Sequence, residues 1–481
     1  MSLNPSLKTK TIGIIGAGPA GLTAAYKLSQ NGYKVDVYEI SNSVGGMSRS
    51  IDLWGQRVDI GPHRFFSKDS RVNNLWLEVV GKDYVMVDRT TSIYYKNQLY
   101  PYPLKALPSF INLGPVESTL CILSYLKQKL SKVKPDDSFE GWVTKRFGQR
   151  LYEHFFKSYS EKLWGISCKK LDAEFAVQRI KKFSLGEAIK AALIKDNGTK
   201  HKTLVSQFAY PNKGTGMVYE NMAKKIVSAG SKIIYNTPIK GIGLTRDSAI
   251  GIEMIDGTIL QYDEIISTMP LPLLVRNIKG LPNEVSESVK NLKFRNTILV
   301  YLEINNPNLF DQQWLYIHSP DIDTGRITNF KNFRIKNDDD SKNSILAMEY
   351  WCNNNDQIWK ESDKYIAEKA KKELIKTKLI KGSKIVNTHV IRVKNSYPVY
   401  EIGYKENLEV VKRYISAFDH LQLIGRPGAF KYNNQDHSIL MGILAAENII
   451  HPKRKNDLWD INTNYEYHES SNITETGLVN D

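Results

Sequence analysis

Near its start the chain sets six residues, Gly16-Ala17-Gly18-Pro19-Ala20-Gly21, between an apolar run at Ile12–Ile15 and a small-residue segment, Ala20–Gln30. The first reads as a buried strand and the second as a helix. This spacing suits an anionic dinucleotide. Gly16 permits a tight bend, Gly18 lets backbone approach a pyrophosphate, and Gly21 allows helix and strand to pack closely. Pro19 and Ala20 open the helix, whose first N–H groups face the anion. A second strand, Lys34–Tyr38, ends at Glu39, which is placed to accept from ribose hydroxyls. Strand, turn, helix and acid in register are far more specific than a lone glycine motif.

Six residues beyond Glu39 stands a second glycine turn, Gly45-Gly46-Met47-Ser48-Arg49. It resembles the continuation found in the glutathione-reductase-like flavoproteins, and that resemblance implies FAD rather than NAD. Gly45, Gly46, Met47 and Ser48 would then line the pyrophosphate and flavin side. Late in the chain come a strand at Leu421–Ile424, a Gly425-Arg426 turn and an apolar helix from Asp436 to Ile450. The same resemblance implies that this helix points its N-terminus at the pyrimidine end of the ring. A positive helix end stabilises negative charge on a reduced flavin.

Further segments match a narrower pattern in order and spacing. They are Gly61-Pro62-His63-Arg64-Phe65-Phe66, Tyr159-Ser160-Glu161-Lys162-Leu163-Trp164-Gly165, Arg179, and Arg326 within Gly325-Arg326-Ile327-Thr328. Tyr397 before Pro398, Tyr432, and Gly425-Arg426 through Asn434-Gln435-Asp436-His437-Ser438 continue it. Together they resemble the UDP-galactopyranose mutases, flavoenzymes that interconvert six- and five-membered rings of a nucleotide-linked sugar. The resemblance implies that Gly61, Pro62, His63, Gly425, Arg426, Asn434, Gln435, Asp436 and Ser438 complete the FAD site. It assigns a nucleotide-diphosphate sugar to Tyr159, Trp164, Arg326, Tyr397 and Tyr432, with His63, Arg179 and Arg326 nearest the chemistry. In that family N5 of reduced flavin attacks the anomeric carbon, the nucleotide diphosphate leaves, and the ring recloses through another hydroxyl. Activity then requires reduced FAD, for which NAD(P)H is a candidate reductant, and the product serves polysaccharide or glycan synthesis.

The residue types agree with such a substrate, because guanidinium binds phosphate oxygens bidentately and phenols donate to them. The chain departs from the family at Val205, where eukaryotic members carry an asparagine for the uracil, and at Lys105, where bacterial members have an asparagine. Plainer readings stand beside these. Tyr159 ends an apolar stripe and would serve as core, and Trp164 would plug the end of that helix. A flavin oxidoreductase of the amine-oxidase, protoporphyrinogen-oxidase or desaturase type shares the N-terminal motifs and stays open as the alternative.

The elements that must position these residues follow from pattern and composition. The chain has 481 residues, 41% hydrophobic and 24% charged, which is ordinary for a globular enzyme and excludes a disordered or fibrous class. An α/β fold is expected: a discontinuous glutathione-reductase-like Rossmann domain (8–100, 205–275 and 405–450), a helical substrate-side insertion (101–204) and an antiparallel substrate sheet (276–404). Within the insertion Phe139, Val143, Phe147, Leu151, Phe155 and Tyr159 recur every four residues after Ser138, a natural N-cap. Residues 456–481 hold acids and no lysine or arginine, and are expected to be a mobile acidic tail.

The formal net charge of +15 favours anionic partners. No aromatic–basic RNA motif or DNA-reading helix pair accompanies it, so nucleic acid is not expected. No run reaches the ~18 apolar residues needed to span a bilayer, which leaves room only for peripheral membrane contact. Three scattered cysteines and no export signal fit a reducing cytoplasm, and no metal site is expected. Oligomeric state is not legible.

Overall fold

The computed structural model describes residues 10–102, 104, 106–131, 136–174, 207–244, 250–333, 341–461, 471–475 and 477–480. A five-stranded parallel sheet has the order Leu421–Leu423, Glu264–Ser267, Thr11–Ile15, Lys34–Tyr38, Lys232–Ile234. Its three central strands are short, mainly apolar runs buried on both faces, as a parallel sheet requires; Ile12, Ile14, Val37, Ile265 and Ile266 are fully enclosed. The helix Pro19–Gln30 packs against the late helix Gln435–Ile450. Gly442 makes that approach possible, because a Cβ there would lie 2.5 Å from the Ala20 carbonyl oxygen.

The second large sheet has seven strands, in the order Ile385–Pro398, Phe294–Ile304, Ser344–Cys352, Arg326–Asn329, Trp314–Ile317, Thr91–Tyr95, Gln98–Pro101. This corrects the expected antiparallel sheet in two respects. Thr91–Tyr95 pairs with Trp314–Ile317 in parallel, so the sheet is mixed. The last two strands also come from the 8–100 range assigned to the Rossmann domain. Tyr94 explains the change: it is buried with Leu315, Ile317 and Leu346 in the apolar layer of this sheet.

Alternation along Ser344–Cys352 sorts the faces. Leu346, Met348, Tyr350 and Cys352 share one apolar layer with Ile366, Ala370 and Leu374 of the helix Asp363–Lys376. Ala347, Glu349 and Trp351 therefore look to the other side.

Among the described residues of the insertion, the segment from Ala106 to Trp164 is helical in most of its length. Ser138 caps the helix Phe139–Phe147, its Oγ accepting from the Gly141 N–H at 2.9 Å. The four-residue stripe does not lie on one helix. Gly148, at φ +85°, breaks it where the chain crosses Tyr125, whose backbone nitrogen would sit 2.7 Å from a Cβ.

The tail also departs from expectation. Leu458 and Ile461 are buried in the Rossmann core, and Lys431 donates to the carbonyls of Trp459 and Ile461. A hairpin of Ser471–Thr474 and Gly477–Asn480 receives the Tyr84 hydroxyl at the Thr474 carbonyl, 2.6 Å. A few apolar side chains suffice to anchor a segment whose average composition is acidic.

Candidate active site

The N-terminal turn is built around close backbone approaches. Gly16 sits at φ +99°, and a Cβ on it would lie 2.1 Å from Thr268 Oγ1. A Cβ on Gly21 would lie 2.0 Å from the Gly16 carbonyl oxygen, so only glycine lets the helix start there. Gly18 differs: nothing lies within 4 Å of its Cβ position, and its φ of −79° would suit any residue. Gly46, at φ +53°, faces this opening, and a Cβ on it would lie 3.2 Å from the Gly18 Cα. Met47 and Ser48 follow it in a short 3-10 turn.

No side chain caps the helix that begins at Pro19, so its orphan N–H groups look into the space beside Gly18. Glu39 is already employed. Its Oε2 accepts from the Ala17 N–H at 2.8 Å, and its Oε1 accepts from the N–H and hydroxyl of Ser41. It locks the turn and keeps spare lone pairs for a further donor.

The C-terminal turn meets this one, Gly425 lying 3.2 Å from the Ala20 Cβ when a Cβ is added to it. The late helix is self-capped: the Asn434 side chain accepts from the His437 N–H while His437 Nδ1 accepts from the Asn434 N–H. The cap is Asn434; Asp436 stands in the first turn and is largely buried, as is Ser438. Gln435 ties three segments, accepting from the Tyr219 hydroxyl at 2.8 Å and donating to the Arg64 carbonyl at 3.2 Å. The open backbone at Gly18 and Gly46, with the uncapped N–H groups of the helix that Pro19 opens, fits a pyrophosphate-bearing dinucleotide.

Across from these turns, register brings Arg326 beside Glu349 on the adjacent strand. The two form a bidentate ion pair, Nε to Oε1 2.7 Å and Nη2 to Oε2 2.6 Å. Gly61, at φ +82°, passes over the pair, and a Cβ there would be 3.7 Å from Glu349 Oε1. Pro62 and His63 follow. His63 Nδ1 lies 3.2 Å from the Gly61 carbonyl, which can only accept; Nδ1 therefore carries the proton and Nε2 a lone pair. Burial, then the nearby Arg426 and Arg326 charges, pushes the His63 pKa down to about 3, so the ring is neutral.

Aromatic rings enclose the rest. Tyr397 and Tyr432 stack at 5.4 Å, and the Arg426 guanidinium lies 5.1 and 5.2 Å from their centroids. Tyr159 stacks on His318 at 4.7 Å and meets Tyr316 and Trp351 edge-on. The structure thus gathers His63, Arg326, Arg426, Tyr159, Tyr397 and Tyr432.

Trp164 does not present a face to a ligand, which corrects the expectation. It is fully enclosed, stacked on Tyr400 and touching Tyr432. Gly165, at φ +65°, turns the chain there to admit Arg295, whose Nε donates to the Leu163 carbonyl. Trp164 plugs the helix end. Arg179, Lys105 and Val205 lie outside the described residues.

Several residues escaped the sequence reading. Glu349 left one signal, a lone acid within the apolar run Ile345–Cys352. His318 and Tyr316 left none. Arg64 and Arg89 have no carboxylate partner among the described residues. Burial, then the Arg64 charge, lowers the Arg89 pKa, and Tyr102 and Tyr316 lie near it. Glu117, Cys121 and His154 come within 4.8 Å of one another, but they form a network with other partners. Glu117 accepts from Arg150 and pairs with His154 Nε2, whose Nδ1 meets the Tyr95 hydroxyl.

His318 carries a pH prediction. Burial, then Lys162, pushes its pKa down to about 3, and the residue is 5% exposed. Between pH 3 and 6.5 the unfolded chain binds a proton there that the folded chain does not. Stability therefore falls as pH drops from about 6.5, by up to about 1.4 kcal/mol per unit. Urea unfolding at pH 7.5 and 5.0 should show about 2 kcal/mol less loss in His318→Asn than in the parent chain. Parallel pH slopes would count against a neutral buried imidazole.

These features define an α/β flavoprotein fold in which a dinucleotide turn faces a polar, aromatic sheet. The chain belongs to the family of flavin-containing amine oxidoreductases, which it matches over residues 19–400. A coproporphyrinogen III oxidase of Staphylococcus aureus is 23% identical over 474 residues, 92% of this chain and 99% of that protein. The Klebsiella pneumoniae protein named "Probable UDP-galactopyranose mutase" is 29% identical over 176 residues, 35% of this chain and 44% of its own length. A solved structure of a reduced UDP-galactopyranose mutase superposes with a TM-score of 0.81 over 93% of this chain and 96% of that one, at 24% identity. That likeness is one of fold. Membership implies FAD.

Proposed function

We propose that the chain is an FAD-dependent mutase that interconverts pyranose and furanose forms of a nucleotide-diphosphate sugar. The observation that carries this is arginine interleaved with tyrosine hydroxyls: Arg326 and Arg426 beside Tyr159, Tyr397 and Tyr432. Gly16, Gly18, Pro19, Gly21, Gly45, Gly46, Gly425 and the start of the late helix would hold FAD, which supplies the nucleophile when reduced. Arg326 spends Nε and Nη2 on Glu349 and keeps Nη1 for a phosphate oxygen. Arg426 gives Nε to the Asn433 carbonyl and Nη1 to the Ser396 carbonyl, which holds its charge in place beside the two stacked tyrosine rings. A departing diphosphate would meet fixed donors that need no reorganisation. Neutral His63 offers Nε2 as an acceptor to a sugar hydroxyl or a cofactor N–H.

The test is isomerisation. Dithionite-reduced, anaerobic protein should convert UDP-galactopyranose or a related nucleotide sugar to its furanose isomer, separable by chromatography, and oxidised protein should not. The near full-length match to a coproporphyrinogen oxidase favours a second reading, net oxidation. Peroxide release with a porphyrinogen, and no isomerisation across a nucleotide-sugar panel, would replace the mutase by that reading.

Arg89 offers a finer check. With no carboxylate partner among the described residues to leave behind, Arg89→Ala should raise KM for the nucleotide sugar about tenfold or more, the worth of one charge-assisted hydrogen bond. Its kcat should stay nearly unchanged, since uniform binding alone is removed. An unaltered KM would take Arg89 out of the substrate site.

A further inference from the structure

The helices Ala106–Leu113 and Pro115–Leu130 pack inward through Phe110, Leu113, Cys121 and Tyr125, yet leave a second apolar face turned outward. Ser118 and Cys121 are buried, and Gly148 closes on the backbone of Tyr125. Outward stand Val116, Leu120, Leu123, Leu126 and Leu130, from 37% to 83% exposed, with Ile111 of the preceding helix. Val116, Leu120, Leu123 and Leu130 recur at three- and four-residue steps or their multiples, so they form one stripe. A surface helix normally turns its apolar stripe inward. A contiguous apolar face of this kind marks an interaction site.

Charge says which partner fits. Lys127 lies within the stripe and Lys129 beside it, both exposed. Lys132 and Lys134 follow in the sequence. Glu117 is the one acid between residues 106 and 131, and Arg150 and His154 already hold it. A second copy of this face would offer the lysines no free carboxylate. An anionic bilayer offers leucine-deep hydrocarbon under a layer of phosphates, with lysine stems reaching up to them. No described helix is long and apolar enough to cross a membrane, which suits a helix pair lying in the interface.

We propose that the 106–130 helix pair docks the protein on an anionic phospholipid surface. Docking would also set the site near the bilayer, since Tyr102, just before these helices, contacts Tyr316 at 4.9 Å. The inference stands apart from the reaction catalysed.

Flotation of the flavin-loaded protein tests it, with pure phosphatidylcholine vesicles against vesicles containing about one-third phosphatidylglycerol. Binding is expected to the second and to fall steeply with salt. Lys127→Ala with Lys129→Ala should weaken it about 25-fold, each lysine contributing roughly a factor of five near an anionic surface. Leu120→Asp with Leu123→Asp should abolish it, with flavin absorbance and far-ultraviolet dichroism unchanged to show an intact fold. Absence of binding to anionic vesicles would overturn the proposal. So would a dimer in sedimentation equilibrium that the leucine variant dissociates while no vesicle binds, which would assign the face to a second copy.

Discussion

Replacing Glu349 by glutamine should lower folding stability by about 3–5 kcal/mol, the cost of stranding one partner of a buried ion pair. Glu349 is 2% exposed, and its two carboxylate oxygens take Nε and Nη2 of Arg326. Glutamine keeps the shape but not the charge, so the guanidinium is left inside the protein uncompensated. Among the described residues Arg426, which lies near it, has no carboxylate partner to dilute the effect, and neutral His63 cannot help. Denaturant unfolding of the flavin-loaded protein reads the loss. Inorganic pyrophosphate should restore part of it selectively in Glu349→Gln, because an anion can take the place of the missing carboxylate. Equal stability of parent and variant would show that water, not Glu349, balances Arg326.

Gly18→Ala should strip the flavin from a chain that stays folded. Its Cβ meets no protein atom within 4 Å and its φ of −79° costs an alanine nothing. The methyl would instead occupy the approach that a pyrophosphate needs at an uncapped helix start. Retained flavin should drop below about a tenth of the parent's, which corresponds to more than ~1.4 kcal/mol of binding lost. The melting temperature of flavin-free protein should be unchanged. Gly21→Ala supplies the contrast, since its Cβ would lie 2.0 Å from the Gly16 carbonyl oxygen. That variant should lose stability with or without flavin. If Gly18→Ala keeps its yellow colour, the pyrophosphate does not pass there.

Much of the Rossmann half was legible because its signals are local. Lys34–Tyr38 and the helix following Gly18 appear where spacing puts them, since a strand, a glycine turn and a helix each depend on neighbours a few residues away. The late helix was equally plain, and the structure starts it one residue earlier, at Gln435, with Asn434 as its cap. Chain breaks were harder. The Phe139–Tyr159 stripe looked continuous because periodicity does not register a glycine forced to positive φ by a crossing helix.

The substrate-facing half shows the boundary. Residue types and order, through the family resemblance, led to the expectation that two arginines, several tyrosines and His63 would serve an anionic ligand beside a dinucleotide turn. Which of them are free to do so was decided by strand neighbours. Arg326 and Glu349 meet through sheet register across separate strands, and no pattern within either strand foretells it. Trp164 reads as a ligand platform until Tyr400 and Tyr432 close over it. Thr91–Tyr95 joins the second sheet because its side chains fit that core, and Leu458 and Ile461 draw an acidic segment onto the first. Local chemistry is written residue by residue, whereas pairing, burial and enclosure belong to contacts between distant segments, which only the folded chain brings together.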